Sequence, residues 1–379
     1  MDLWLRLTDG FFEETFFPIY TGPLLEFEFE TIDPGGFGSS RLSIPIKDIF
    51  NVSGSSANFL NHYAVVHDKY GRVVYEGRVV DYSNDNKMAE LSLSGLYSLG
   101  EDITSGLIYP ITTAKSISEI ISDAADLVTY WSNIREDILT TTTDVTPQDF
   151  TGEVKVTESI EAVLKYGTDD AEPNPLHFGI WGNRKPWLKA IKTSEDNPDW
   201  ILDENSIKEG SGYYQSSSML DIFNKIQIVY NDQYIGQTFT DWYEDAFSQN
   251  IYGVREGTMN IGDSSEALAG LIGELAIKYF SYPSGLSKLG VSGFVRNFEH
   301  GRYELPYMIR AGDYVRLSGV SQEFLKKEYG LFNPYFTSFI VSRTHYDKNT
   351  NTLELEFSKR AKAMDILLSR LGAGSASIR

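Results

Sequence analysis

Alternating apolar and polar positions dominate the first hundred residues. The segment Leu25–Glu30 alternates strictly between an apolar and an acidic residue, which predicts a strand with one face of each kind. The turn sequence Asp33–Gly36 follows, and further short runs with strand character continue to Leu93. Five or six short strands at this spacing predict a small antiparallel barrel or sandwich over residues 1–105.

The middle of the chain changes to helical spacing. Ser116 and Glu119 give the capping-box signature Ser-Ile-Ser-Glu, and the apolar residues after them recur at helical intervals. We predict helices over 116–128 and Glu158–Tyr166, with strands further along. Residues 106–214 are therefore expected to form an α/β domain.

Strand patterns return in the last part of the chain. A helix capped by Asp263 and ending at Phe280 interrupts them, and a final helix is predicted at Lys362–Leu371. The predicted division is a first β-barrel at 1–105, an α/β domain at 106–214, a second β-barrel at 215–236 with 285–360, an inserted helical segment at 237–284, and a C-terminal helix with a tail at 361–379.

Two distant segments share one amphipathic pattern. Leu353–Phe357 repeats the apolar and acidic alternation of Leu25–Phe29. Two β modules of one type, separated by α/β insertions, would give this layout, and so would any pair of amphipathic edge strands. The acidic positions of the two segments are Glu26, Glu28, Glu30, Glu354 and Glu356.

Charge and composition exclude several classes of protein. The 379 residues include 33 Lys+Arg and 53 Asp+Glu, for a formal net charge of −20, and almost all of the excess lies in the first 210 residues. This excess argues against a protein that wraps nucleic acid by neutralising phosphates. No apolar run reaches the ~18 residues that a membrane helix needs, and the first residues lack the order of a signal peptide. The absence of cysteine excludes disulfides, thiolate nucleophiles and Cys-ligated zinc.

Searches for catalytic motifs return nothing. The zinc-protease, nucleophile-elbow and Walker patterns are absent, and the five histidines show no ligand spacing. We therefore predict no catalytic residue, no metal and no cofactor. A glycan-binding or glycan-cleaving β protein stays an alternative, because a catalytic carboxylate pair is defined in space rather than in sequence, and aromatic residues, 13% of the chain, suit stacking on sugars.

Three short segments carry a resemblance to a known family. Pro306–Arg316 contains Arg-Ala-Gly-Asp leading into a strand, Leu176–Leu188 contains Gly-Ile-Trp-Gly and Arg-Lys-Pro-Trp, and Phe223–Tyr230 enters a further strand. Pro306–Arg316 follows the predicted helix that ends at Phe280. This order of elements, together with the other two segments, resembles the minor tail proteins of long-tailed bacteriophages, which form the hub of the baseplate or tail tip.

The resemblance implies a mixed, β-rich α+β fold with two tail-tube-like antiparallel β-barrels and intervening α/β domains. Three copies would place six barrels around a channel that continues the tail tube and connects it to the tip or spike. The implied partners are distal tail and tail tube proteins, a tape-measure protein, and separate spike or fibre proteins, while DNA passes without specific binding. The implied role is structural rather than enzymatic, in the virion, after synthesis in the host bacterial cytoplasm. A hexameric distal tail ring protein is the second candidate.

Two sets of residues receive expected roles. The five glutamates named above are expected to include residues that line the channel and repel phosphate; the alternative is that they face outside solvent or a neighbouring ring. Arg310, Asp313 and Arg316 are candidates for a subunit interface, in a ring where residues 1–105 of one chain contact residues 290–360 of the next. For this second set, the alternative is a turn with local packing.

Overall fold

Strands outnumber helices in the structure, a computed structural model, so the β-rich α+β fold expected from the sequence is confirmed at that level. The predicted C-terminal helix and tail at 361–379 lie outside the described residues. The structure describes residues 3–8, 18–45, 59–84, 87–109, 115–141, 144–145, 148–164, 166–167, 176–190, 197–207, 222–232, 234–263, 266–281, 288–318 and 338–357.

The first block folds into strands because its apolar residues alternate with polar ones. These strands are β1 (Trp4–Thr8), β2 (Pro18–Pro23), β3 (Glu26–Ile32), β4 (Gly35–Pro45), β5 (Tyr63–His67), β6 (Val73–Asn84) and β7 (Met88–Gly95). In β3, Phe27 and Phe29 are buried, as predicted. Leu25, which we placed on the same apolar face, precedes the strand and is 46% exposed, while Leu24 is the buried residue at that point.

The middle block contains the predicted capped helix. Its elements are β8 (Ile108–Tyr109), β9 (Lys115–Ser116), α1 (Ile117–Asp126), β10 (Asp144–Val145), β11 (Gln148–Asp149), α2 (Val156–Leu164), β12 (Leu176–Trp181), β13 (Lys185–Ala190) and β14 (Trp200–Leu202). Ser116 Oγ accepts a hydrogen bond from the Glu119 amide, and the Glu119 carboxylate accepts one from the Ser116 amide at 2.9 Å. Both helices bury their apolar sides around Trp131, whose Nε1 donates to the Leu96 carbonyl at 2.9 Å.

Residues 222–281 form a separate sheet with its own core. The elements are β15 (Lys225–Asp232), β16 (Gly236–Phe239), β17 (Tyr243–Glu244), α3 (Ala246–Tyr252), β18 (Glu256–Asp263) and α4 (Glu266–Phe280). Strand β15 pairs with β16, β17 and β18, and Ile226 and Ile228 pack against Ile272 of α4. This arrangement differs from our assignment of 215–236 to the second barrel and of 237–284 to a helical segment. Asp263, which we predicted as the helix cap, is the last residue of β18, and the helix is described from Glu266.

The late β block joins the first block in one sheet. Its strands are β19 (Lys288–Ser292), β20 (Val295–Asn297), β21 (Tyr303–Glu304), β22 (Tyr314–Leu317), β23 (Ser338–Asp347) and β24 (Thr352–Phe357). Strand β23 pairs antiparallel with β3 on one side and with β24 on the other, while β14 lies between β22 and β20. The described strands of these two blocks belong to one continuous sheet, and no closed barrel is found among them.

One hydrophobic core serves both β blocks. It contains Leu5 and Phe29 from the first block together with Val341 and Leu355 from the late block. The two blocks are therefore packed as one body within a single chain. No helix in the described part of the chain is long and apolar enough to cross a membrane.

Candidate functional site

The two amphipathic segments flagged in the sequence lie on either side of one strand. Strand β3 pairs with β23 so that Glu30 faces His345, and β24 pairs with β23 so that Glu354 faces the same histidine. Arg343, two residues earlier on β23, faces Glu356. The sequence echo therefore corresponds to two neighbours of a shared central strand.

The acidic residues point to one side of this sheet because the apolar residues between them fill the core. Phe27 and Phe29 on β3 and Leu353 and Leu355 on β24 are all at most 2% exposed. Side chains alternate between the two faces of a strand, so the glutamates between these residues lie on the opposite, solvent-facing side. We call that side the acidic face: Glu26, Glu28, Glu30, Arg343, His345, Glu354 and Glu356.

Ion pairs tie the acidic face together across the strands. The Arg343 guanidinium binds the Glu30 carboxylate, with Nε donating to Oε2 at 2.7 Å. Lys288 Nζ lies 2.5 Å from a carboxylate oxygen of Glu356. His345 Nε2 is 3.9 Å from Glu28 Oε2, at the edge of ion-pair distance.

The environment of Glu30 favours its charged form. Partial burial opposes ionisation, but hydrogen bonds from Ser39 and Arg343 outweigh that effect, so the pKa of Glu30 lies below its ordinary value. A groove of about 210 Å³ opens beside this carboxylate. Its lining consists of Glu30, Arg343, Thr344, His345, Glu354 and Glu356.

The acidic face continues onto the neighbouring strands. Glu26, at the start of β3, accepts a hydrogen bond from Ser43 Oγ at 3.2 Å, away from the groove. Arg41 on β4 binds Glu90 on β7 at 2.9 Å. With these residues and Lys288 included, carboxylates outnumber permanent cations on this side of the sheet, so its field repels polyanions.

Arg310 and Asp313 are used inside the chain. The Asp313 carboxylate, in a residue 8% exposed, accepts hydrogen bonds from Trp200 Nε1 at 2.9 Å and from the Arg310 amide at 2.8 Å. Lys189 Nζ approaches it at 3.3 Å. The Arg310 guanidinium lies 4.6 Å from the centroid of the Trp181 ring, and its burial lowers the pKa of Arg310 against the opposing effect of Asp313.

The glycine of the Arg-Ala-Gly-Asp segment is required by the turn. Gly312 has a φ of +86°, and a Cβ there would lie 2.5 Å from the His177 ring. The Gly312 amide donates to the Val341 carbonyl at 2.7 Å, which fixes the turn against β23. Arg316, half-buried on β22, is opposite Ser338 of β23. The structure therefore places all three interface candidates beside the turn and strand that the sequence predicted.

Sequence reasoning missed the cations of the acidic face. Arg343 and His345 occupy alternate positions of β23, and Lys288 is the first residue of β19. The available signal was alternation within Phe339–His345, which places Arg343 and His345 on the side opposite Thr344. Among the described residues, no group of three or more His, Asp or Glu side chains is arranged to hold a metal ion.

No protein-family model matches the sequence, and no curated protein matches it significantly. Solved structures match along nearly all of the chain. The tail protein from Neisseria meningitidis MC58 is 11% identical, with a TM-score of 0.54, over 96% of this chain and 98% of that chain. The 43 kDa tail protein of prophage MuSo2 from Shewanella oneidensis is 13% identical, with a TM-score of 0.56, over 96% and 99%.

A third match has the same extent. The prophage tail protein gp18 from Listeria monocytogenes EGD-e is 13% identical, with a TM-score of 0.50, over 98% of this chain and 100% of that chain. At these identities the comparison concerns fold alone. The chain thus shares its fold, over at least 96% of its length, with three bacterial tail proteins, two of which come from prophages.

Proposed function

We propose that this protein is a structural component of a phage tail, the hub of the baseplate or tail tip. In this role three copies form a ring that continues the tail tube channel and connects it to the tip or spike. The observation that carries the proposal is the pairing of β3 with β23, which joins two β blocks into one sheet with a shared acidic face. The common fold with tail proteins over nearly the whole chain supports it.

The proposed ring contains two tube-like barrels from each chain, one from each β block, so three chains match a sixfold tube. The acidic face lines the channel in this arrangement. A lumen in which carboxylates outnumber cations repels phosphate, and DNA passes without the counterion-release gain that would hold it. The ion pairs of Arg343 and Lys288 weaken the negative electrostatic potential of the acidic face but do not reverse its sign.

The proposed partners follow from the position in the tail. Distal tail and tail tube proteins sit on one side of the ring, separate spike or fibre proteins sit on the other, and the tape-measure protein or DNA occupies the lumen. For the contact between subunits we propose Arg316, which is partly exposed on β22, whereas Asp313 is 8% exposed and the Arg310 guanidinium lies over the Trp181 ring.

The deciding experiment is cryo-electron microscopy of the purified protein, with its mass measured by light scattering. We expect a trimer in which the carboxylates of Glu28, Glu30, Glu354 and Glu356 point toward the threefold axis. A hexameric ring would favour the distal tail protein, and a monomer that binds oligosaccharides would favour the glycan-binding class. A trimer whose acidic faces point away from the axis would overturn the channel assignment alone.

A further inference from the structure

The hairpin of β20 and β21 exposes aromatic and basic side chains together. Phe294, Arg296 and Phe298 are all exposed, and Val295 between the first two is buried. Tyr303 lies opposite Arg296 in the pairing of the two strands, and Arg302 precedes it. Phe294 and Tyr303 are 61% and 63% exposed. We call these five residues the basic hairpin surface.

The 222–281 unit exposes apolar side chains beside carboxylates. Phe247 and Ile251 lie one turn apart on helix α3 and are exposed to solvent. Val254, two residues after the end of the helix, is exposed as well. Trp242 and Asp241 precede the helix and are also exposed. Phe247 is 55% exposed and Val254 62% exposed. We call these five residues the acidic helical surface.

Neither surface is explained by the fold of one chain. Clusters of exposed large apolar residues mark interaction sites, and aromatic residues and arginine are enriched in the cores of protein interfaces. Arg296, Arg302 and Asp241 form no ion pair with any residue in the part of the chain that the structure describes. Each surface therefore combines uncovered apolar area with charge. The hairpin carries two arginines against the exposed Glu299 of its turn, and the helical surface carries Asp241.

We propose that the basic hairpin surface of one copy docks on the acidic helical surface of the next copy. The complementarity of charge and the shared aromatic character identify the occupant as a second copy of this chain. The two surfaces consist of different residues, so the contact is head-to-tail, and such a contact closes into a ring where the rotation between neighbouring copies divides a full turn. This inference rests on the proposed function in one respect: the ring that the contact forms is the ring proposed for the phage tail.

Two variants test the contact. Arg296→Glu with Arg302→Glu reverses the charge of the basic hairpin surface, and Asp241→Lys with Phe247→Lys reverses the acidic helical surface. All four side chains are exposed, so the monomer fold is expected to be retained, with circular dichroism as the check. We expect each variant alone to remain monomeric by mass photometry at concentrations ~30-fold above the wild-type midpoint of assembly. Arg6→Glu, an exposed arginine on β1, is the matched control and assembles as wild type.

A mixture of the two variants distinguishes head-to-tail docking from other contacts. Each mixed pair keeps one intact basic surface and one intact acidic surface, and the two reversed surfaces also carry opposite charges, so we expect the mixture to assemble although each variant alone does not. A mixture that stays monomeric would overturn the head-to-tail arrangement. Wild-type assembly in both variants would overturn the docking surfaces and leave the hub proposal standing.

Cross-linking gives a readout that does not depend on disrupting assembly. The chain has no native cysteine, so Tyr303→Cys and Phe247→Cys in one chain give a single reactive pair. With a short bismaleimide we expect covalent ladders up to the size of the ring, whereas Tyr303→Cys alone stays monomeric under denaturing conditions. If the double-cysteine variant forms a ring of wild-type size but gives no covalent ladder, the inference is contradicted. A wild-type protein that never assembles would overturn the inference and the trimeric hub together, and variant-sensitive rings of another size would support the docking surfaces while rejecting the trimer.

Discussion

Buried carboxylates lie where distant segments of the chain meet. Asp68, at the end of the β5 strand, is 3% exposed and accepts a hydrogen bond from Tyr307 Oη at 3.1 Å. Asp33, after β3, lies 2.5 Å from Nδ1 of the fully buried His177 of β12. Because an unpaired buried charge is costly, these contacts specify which segments pack together.

Glu76 is a buried carboxyl group that forms no ion pair with any of the described residues. It is 1% exposed and accepts a hydrogen bond from the Arg184 amide, at the tip of the β12–β13 hairpin, at 3.1 Å. Burial raises the pKa of Glu76 to about 8, although the backbone amides and the Arg184 charge oppose the shift. The folded protein therefore keeps this group protonated at neutral pH.

Replacing Glu76 by Gln should remove a pH dependence of stability. Above the ordinary glutamate pKa of 4.5 the unfolded chain loses this proton while the folded chain retains it, so stability falls as pH rises to about 8, by ~1.4 kcal/mol per unit at most. We expect the Tm of the wild type to decline relative to Glu76→Gln between pH 5 and 8 in calorimetry. Glu101→Gln, at an exposed site, is the control, and parallel curves for wild type and Glu76→Gln would contradict the prediction.

At the scale of elements, the pairing of β3 with β23 includes a buried polar contact. Thr31 and Thr344 share a hydrogen bond of 2.7 Å between their hydroxyl groups, and both are 0% exposed. Thr31 Oγ1 also accepts a hydrogen bond of 2.8 Å from the Ala311 amide in the turn before β22. One hydroxyl therefore connects three segments, and its loss leaves an amide without its acceptor.

Valine substitutions separate these two contributions. Thr344→Val removes one hydrogen bond, which is worth ~1 kcal/mol, and Thr31→Val also leaves the buried Ala311 amide unpaired, which adds about 1–3 kcal/mol. We expect urea unfolding to rank the free energies of unfolding as wild type, then Thr344→Val, then Thr31→Val. Thr21→Val on β2 is exposed and should leave the value unchanged, and equal costs at positions 31 and 344 would refute the role of the amide contact.

The sequence carried enough information for individual elements and faces. The capping box at Ser116 and the alternation of Leu25–Glu30 depend on neighbours in sequence, and the structure confirms the helix and the strand. The acidic face was predictable as a property of each strand. The strand pairing that assembles this face was not predictable. The pairing of β3 with β23 joins residues about 313 positions apart, and alternation specifies which face a residue is on but not which strand is its partner.

Other elements were missed for physical reasons. Strand β14 has three residues, too few to show a period, and it is stabilised by its neighbours β20 and β22. The strand predicted within Phe223–Tyr230 fits either a barrel or a mixed sheet. Its parallel pairing with β18, which decides between them, is visible only in three dimensions. His345 and Arg343 acquired their importance from strands that are remote in sequence.

For the whole molecule, the cores indicate which parts unfold together. The two β blocks share one hydrophobic core, whereas residues 222–281 have a core of their own that includes Ile228. We therefore expect the two β blocks to unfold together, because they share core side chains. Residues 222–281 can unfold locally while the β blocks stay folded.

Hydrogen exchange followed by mass spectrometry tests this division. Ile228→Ala removes buried volume worth about 2–5 kcal/mol and should accelerate exchange in 222–281 while leaving β4 unchanged. Phe29→Ala should accelerate exchange in β4 and β24 together, because both strands pack on the same core. Faster exchange throughout the chain in Ile228→Ala would show that the molecule is a single cooperative unit.

The shared strand also sets an order of events on the ribosome. Strand β3 leaves the tunnel some 310 residues before its partner β23, which at 5–20 residues per second is about 15–60 s of synthesis. During that interval the nascent chain displays an unpaired strand edge, a template for joining another nascent chain. The glutamates at every second position of that edge repel the same edge of another nascent chain. The charges of the acidic face therefore oppose aggregation during synthesis, before the folded protein uses them.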